Sequence, residues 1–293
     1  MIRNGTVYLI TAYRHNHVER ATPVDPRFLQ SARNYVFYFV DEEGAVPGFE
    51  HRSIAEMAIH PEIQLAGQRH FGEWTFLLTE YKHRFARYPL FMISTRFYEK
   101  NRRLTLSLDE LWDDLFYYLN QYGYGYLPSY DRDFGYEDFV RYYETSLIGT
   151  TLEGVDLINR MYEIDFMTEC RHFSDFFCNY IGFAGRQELE HYIEFYLPMI
   201  NYFFDETYRE IRPVQSYVQR LSQVQLPGFR AEKPFTLLME QISHLFFYKN
   251  RVKFIGLSYD GFYEVDERLA TGRVLKQIGT SRGSHDHRRG AGK

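Results

Sequence analysis

The chain has 293 residues, of which 45% are hydrophobic and 25% charged, with a formal net charge of −5. Those values belong to a protein with a buried core and exclude a disordered or collagen-like chain. The last thirteen residues carry four basic side chains against one acidic one, so the remainder is more acidic than the total, which argues against a nucleic-acid-binding domain built on phosphate neutralisation.

In chain order, Val7 to Tyr13 and Tyr35 to Val40 are short β-rich apolar runs that predict buried strands. Trp74, Leu77, Leu78, Tyr81 and Phe85 recur at helical spacing, and Pro89 ends that pattern before a strand-like Leu90 to Ser94. Ser107 and Glu110 form a capping box ahead of Leu111, Trp112, Leu115 and Leu119 on one helical face, because their side chains satisfy the first orphan amides of a helix. Tyr124 to Leu127 reads as a short strand, and Pro128 to Gly135 as the turn-rich loop after it. A second box, Thr150 and Glu153, opens a helix through Met161, and Phe176 to Phe183 reads as another strand. The apolar stripe from Leu189 to Phe204 predicts a long helix that Pro198 should kink or break. Residues 205 to 231 read as surface loop with helical fragments, followed by a helix from Pro234 to Phe246 and a strand from Val252 to Leu257.

Strands alternating with amphipathic helices predict an α/β fold with a mostly parallel sheet flanked by helices, and helical additions in the C-terminal half. Residues 1 to 270 read as one domain and residues 271 to 293 as a disordered tail without large apolar anchors. No stretch approaches the roughly 18 uncharged residues of a membrane helix. The two cysteines, Cys170 and Cys178, have neither CxxC nor metal-ligand spacing, which points to reduced thiols in a cytoplasmic setting. The aromatic fraction is high at 18%, from 26 Phe, 26 Tyr and 2 Trp. Between Phe116 and Tyr143, twelve of 28 residues are Phe or Tyr. Such rings serve either as core or as stacking surfaces, and the tyrosines between 122 and 136 are the group expected to stack on a sugar or base.

No Walker A loop, GxGxxG after a strand, HExxH, GxSxG or kinase signature occurs. The strongest local chemical signal is Asp131-Arg132-Asp133. Two carboxylates one residue apart, in a loop at the carboxyl end of a strand, can share one Mg²⁺ or Mn²⁺ and through it hold a nucleotide diphosphate. A solvated turn, or one paired internally through Arg132, fits the same residues. Asp175 sits among Phe173, Phe176, Phe177 and Cys178, where a carboxylate is either a cap or a base with a raised pKa. Glu232, just before Pro234, is either a dipole-favoured capping carboxylate or a second acidic residue in a cleft. Glu240 and His244 are four apart, either metal ligands or an ordinary intrahelical pair. Arg14 and His15 follow the first strand, where an α/β fold opens its crevice, and Arg96 with Phe97 and Tyr98 follows another. Cys178 with His172 or His191 is a weaker nucleophile candidate, because nothing nearby lowers its pKa.

The order of these features resembles a group of bacterial glycosyltransferase-like proteins of capsule, exopolysaccharide and lipopolysaccharide synthesis, with a GT-A-like fold. The resemblance rests on the strand and polar loop from Tyr8 to His15, the helix from Glu73 to Lys82, and the strand ending Arg96-Phe97-Tyr98. It continues through Tyr124 to Pro128, Phe177 to Phe183, the helix from Tyr192 to Phe204, and Glu232 ahead of Phe246 to Tyr248. The family tends to carry a His-Tyr-Arg-Arg-like run where this chain has Thr95-Arg-Phe-Tyr-Glu-Lys100. The resemblance implies a nucleotide-sugar donor, a saccharide or lipid-linked acceptor, and cytoplasmic work at the inner membrane face. Of the donor contacts it carries over only Arg96 or Tyr98; read from the residues themselves, Thr11, Tyr13, Arg14 and Tyr130 are the other donor-contact candidates, Asp131 and Asp133 the metal pair, and Asp175, with Glu232 second, the catalytic carboxylate. A non-catalytic carbohydrate-binding or scaffold protein, and a metal-dependent nucleotide-sugar hydrolase, are the competing expectations.

Overall fold

The computed structural model describes residues 5–11, 28, 35–39, 50–53, 74–94, 97–100, 108–126, 151–169, 180–204, 239, 242–258, 261–266 and 274–280. Nine strands form one sheet: β1 (Thr6–Thr11), β2 (Tyr35–Phe39), β3 (Glu50–Ser53), β4 (Leu90–Ser94), β5 (Tyr124–Tyr126), β6 (Ile181–Phe183), β7 (Phe254–Ser258), β8 (Gly261–Asp266) and β9 (Val274–Thr280). Their spatial order is β3-β2-β1-β4-β6-β5-β7-β8-β9. The helices are α1 (Trp74–His83), α2 (Phe97–Lys100), α3 (Leu108–Tyr122), α4 (Thr151–Tyr162), α5 (Phe166–Glu169), α6 (Arg186–Phe204) and α7 (Leu245–Asn250).

The expected α/β class is present, but the sheet is mixed. Strands β1 to β5 and β7 run one way, while β6 is antiparallel to both of its neighbours. The chain re-enters the sheet for β6 from the edge it left after β5, so β6 must run back. Strands β7, β8 and β9 are joined as an antiparallel meander; links of a few residues cannot make the crossover that parallel neighbours require.

Alternate side chains of the central strands enter two cores, which is why these strands read as continuous apolar runs. Tyr8, Leu90, Met92, Tyr124 and Tyr126 face a layer built from α1, α4, α5, α6 and α7. Val7, Phe91, Ile93, Ile255 and Leu257 face α2 and α3. The helical additions of the C-terminal half thus pack on one face. There Trp74 stacks on Tyr192 at 5.5 Å and meets Tyr196 edge-on at 5.3 Å.

One row across the sheet depends on missing side chains. Phe91, Gly182, Gly125 and Ile255 are register partners on β4, β6, β5 and β7. A β-carbon at Gly125 or Gly182 would lie 2.5 Å from the Phe91 ring, and that ring is wedged against Trp112 and Phe116. Gly123 has φ +82°, a conformation glycine adopts freely. It stops α3, donates its N–H to the Leu119 carbonyl at 2.8 Å, and turns the chain into β5.

The amino-terminal edge of the sheet holds a closed polar network. Glu80, fully buried near the end of α1, accepts the N–H groups of Phe85 and Ala86 at 2.8 and 2.7 Å. Its other oxygen accepts the Tyr88 hydroxyl at 2.9 Å and the Arg186 guanidinium at 3.3 Å. Arg186, at the start of α6, also donates to the Tyr81 carbonyl and to Glu190. The hydroxyl of Tyr8 accepts the Arg87 N–H at 2.9 Å. A second network on this edge joins Lys253 and Tyr122 to Glu264, each at 2.7 Å.

Three expectations need correction. Residues 274–280 belong to the sheet as β9, with Ile278 packed on the core, so the tail expected from residue 271 contains a strand. Helix α6 continues through Pro198 to Phe204, so of the expected kink or break the break does not occur; the buried side chains of Tyr192, Ile193, Tyr196, Met199 and Ile200 hold it despite the donor that proline removes. The helix expected from Pro234 is helical at Met239 and Ile242, is interrupted by a turn at Ser243 and His244, and resumes as α7 over Leu245–Asn250.

Candidate functional site

Strands β1, β2, β3, β4, β5 and β7 all end at one edge, at Thr11, Phe39, Ser53, Ser94, Tyr126 and Ser258. The chain winds outward from β1 through β2 to β3, then returns to β4 on the opposite side of β1. That reversal is a topological switch point, and open α/β sheets bind ligands in the crevice beyond the carboxyl ends of the strands there. Strands β1 and β4 are in register at this end, with Ile10 opposite Ser94.

Thr11 is the last residue of β1 at this edge, opposite Phe39. Tyr13 and Arg14, which follow it, lie outside the described residues, as do Arg96, Tyr130, Asp131, Asp133, Asp175 and Glu232. In sequence, Tyr130, Asp131 and Asp133 follow the end of β5, and Asp175 precedes Tyr180 and β6. Tyr98 is described and is a correction. It is 3% exposed, its ring 4.9 Å from Phe28 and 5.5 Å from Phe97, so it packs the core beneath this edge instead of offering a stacking face. The short α2 places consecutive Phe97 and Tyr98 in the same core, and Phe97 continues to Tyr180 at 5.4 Å.

The tyrosine group expected to stack on a ligand is also divided. Tyr124 and Tyr126 are buried, since residues two apart on a strand share a face and this face meets the helices. Tyr122 donates to Glu264; burial and that bond push its hydroxyl up to about 12. Among the described residues the only exposed large hydrophobic side chain is Tyr117. No three His, Cys, Asp or Glu side chains gather to hold a metal among the described residues. Cys178 and His172 lie outside them, and His191 meets the Tyr124 hydroxyl at 3.3 Å and the edge of Phe246 at 5.0 Å.

At the carboxyl end of β5 the structure assembles a polar cluster that no local pattern signals. The hydroxyls of Tyr126 and Ser243 share a hydrogen bond of 3.1 Å. The His244 ring stacks on Tyr126 at 5.6 Å, with 28° between the planes. All three residues are 1% exposed. Tyr196 donates to the Ile242 carbonyl at 2.6 Å and accepts the Phe246 N–H at 3.1 Å, while Tyr192 donates to the Ser243 carbonyl at 3.5 Å. Burial raises the pKa values of Tyr192 and Tyr196, so both remain neutral donors. The one legible sign was Tyr192 and Tyr196 four apart on a helix, which places them together; their partners lie about fifty residues away.

Comparison with protein-family models, curated proteins and solved structures finds no match. No helix among the described residues is long and apolar enough to cross a membrane.

Proposed function

We propose that this chain is a glycosyltransferase of GT-A type, moving a sugar from a nucleotide-diphosphate donor to a hydroxyl of a saccharide or lipid-linked acceptor in surface-polysaccharide synthesis. The observation that carries this reading is the common edge at which β1, β4 and β5 end, because the chain continues from it into the segments holding Tyr13 and Arg14, Arg96, and Asp131 and Asp133. Asp175 lies in the segment leading into β6 from the same edge.

Asp131 and Asp133 supply hard carboxylate oxygens suited to Mn²⁺ or Mg²⁺, which when bound offsets the charge of the departing diphosphate. Thr11, Tyr13, Arg14 and Arg96 are the donor-binding candidates, with Tyr130 beside the acidic pair. In an inverting transfer the acceptor oxygen bonds to the anomeric carbon as the bond from that carbon to the diphosphate oxygen breaks. The diphosphate leaves with the electron pair, and the acceptor proton passes to Asp175, or to Glu232. The reaction takes place in the cytoplasm, at the inner face of the membrane where a lipid-linked acceptor is presented.

A panel of nucleotide sugars, scored for release of nucleotide diphosphate with and without added saccharide acceptors, tests the proposal. Release from one donor, accelerated by an acceptor, is expected. Release indifferent to every acceptor favours a hydrolase, and no turnover with any donor contradicts the enzyme reading.

A further inference from the structure

We infer that Tyr126, Ser243 and His244 are positioning residues for the nucleotide-sugar site, fixing the ends of the chain segments from which that site is built; this rests on the transferase reading above. Tyr126 is the last residue of β5, and the segment with Asp131 and Asp133 begins directly after it. It is in register with Ile181, where the chain arrives from the segment with Asp175, and with Gly256 of β7. Its hydroxyl meets Ser243, and its ring meets His244. These residues lie at the end of the chain that carries Glu232, just ahead of α7. Three routes into the candidate site therefore meet at one residue, through the backbone of Tyr126 on the β5 and β6 side and through its side chain at Ser243 and His244.

The chemistry of the cluster favours positioning over filling. The surrounding core is mainly aromatic and aliphatic, and Phe and Ala would occupy nearly the same space. Burying two hydroxyls costs free energy unless they stay bonded to partners. A directional bond specifies one arrangement of β5 against residues 242–244, whereas apolar packing tolerates sliding. Tyr192 and Tyr196 reinforce this by holding the carbonyls of Ser243 and Ile242.

The test compares Tyr126→Phe and Ser243→Ala with a control, Tyr162→Phe. Tyr162 belongs to the same core and donates to the Phe195 carbonyl of α6 at 3.3 Å, a bond that holds α4 to α6. Calorimetric titration with UDP and GDP in the presence of Mn²⁺ gives the dissociation constant, and thermal unfolding gives Tm. Tyr126→Phe and Ser243→Ala should each weaken nucleotide binding about fivefold, below the loss typical of groups that orient ligand-holding side chains directly. The double variant should lose little more than either single one, since both break one bond. Tyr162→Phe should lower Tm while leaving the dissociation constant unchanged. An unchanged constant in Tyr126→Phe, or equal weakening in Tyr162→Phe, overturns the positioning role while leaving the transferase reading intact. Failure of the unaltered protein to bind either nucleotide overturns both.

Discussion

The two edges of the sheet use polar side chains in opposite ways. At the amino-terminal edge Glu80, Arg186, Tyr88 and Tyr8 bond to one another and to backbone amides and carbonyls, fixing α1, α6 and the start of β4. At the carboxyl-terminal edge the strands finish on Thr11, Phe39, Ser53, Ser94, Tyr126 and Ser258, and the chain runs on into acidic, basic and aromatic residues. Residue type does not separate the two edges: Glu80 is a buried carboxylate among aromatic side chains, and Asp175 is flanked in sequence by Phe173, Phe176 and Phe177. Position relative to strand direction separates them, because the crevice of an α/β sheet opens at the carboxyl ends.

The sharpest way to break the comparison is Glu80→Ala. It removes the acceptor of the Phe85 and Ala86 amides and of the Tyr88 hydroxyl, and one partner of Arg186, which keeps Glu190 and the Tyr81 carbonyl; losing several hydrogen bonds to a charged acceptor costs about 2–4 kcal/mol. Urea unfolding should show a loss of that size, with nucleotide binding intact in the fraction that folds. Weakened nucleotide binding with little loss of stability would erase the division between the edges. Next is Gly182→Ala, whose β-carbon meets a Phe91 ring that is itself wedged in place. Overpacking of this kind costs about 1–3 kcal/mol, read in the same unfolding assay, and an unchanged midpoint would mean the ring can yield.

The smallest effect concerns Glu264. Hydrogen bonds from Lys253 and then Tyr122 hold its carboxyl below the usual glutamate range. An unfolded glutamate takes up its proton near pH 4.3, at higher pH than the folded one. The contribution to stability is thus complete above that pH and is lost as pH falls through the lower folded value. Lys253 is 38% exposed, so solvent screening keeps the gain below about 1 kcal/mol. Glu264→Gln should flatten this part of the acid limb in pH-dependent unfolding, and an identical limb would remove the assignment.

Strands β1 and β4 were legible because side chains on both of their faces are buried, which leaves nearly continuous apolar runs. Helices α1, α3 and α6 showed their buried stripes for the same reason. The reversed direction of β6 was not legible, since a strand's composition carries no direction. Strand β8 begins at Gly261, which pairs with Ser258 across a two-residue link, and β9 exposes Lys276 and Gln277 at the sheet margin, so it lacks an apolar pattern. At the candidate site, the place of Asp131 and Asp133 after a strand could be read locally. The burial of Tyr98, Tyr124 and Tyr126 could not, because exposed and buried rings look alike in sequence. The bond from Tyr126 to Ser243 spans 117 positions and leaves no local trace.

In the proposed function the carboxyl edge binds a nucleotide diphosphate through the acidic pair beyond β5. Calorimetric titration with UDP and GDP, with and without Mn²⁺, tests it most directly when run on the unaltered protein and on the Asp131→Ala/Asp133→Ala double variant. The account predicts binding of at least one nucleotide, strengthened by Mn²⁺, with that strengthening absent in the double variant while its Tm is unchanged. No binding of either nucleotide under any condition, or a Mn²⁺ effect that survives loss of both aspartates, would contradict it.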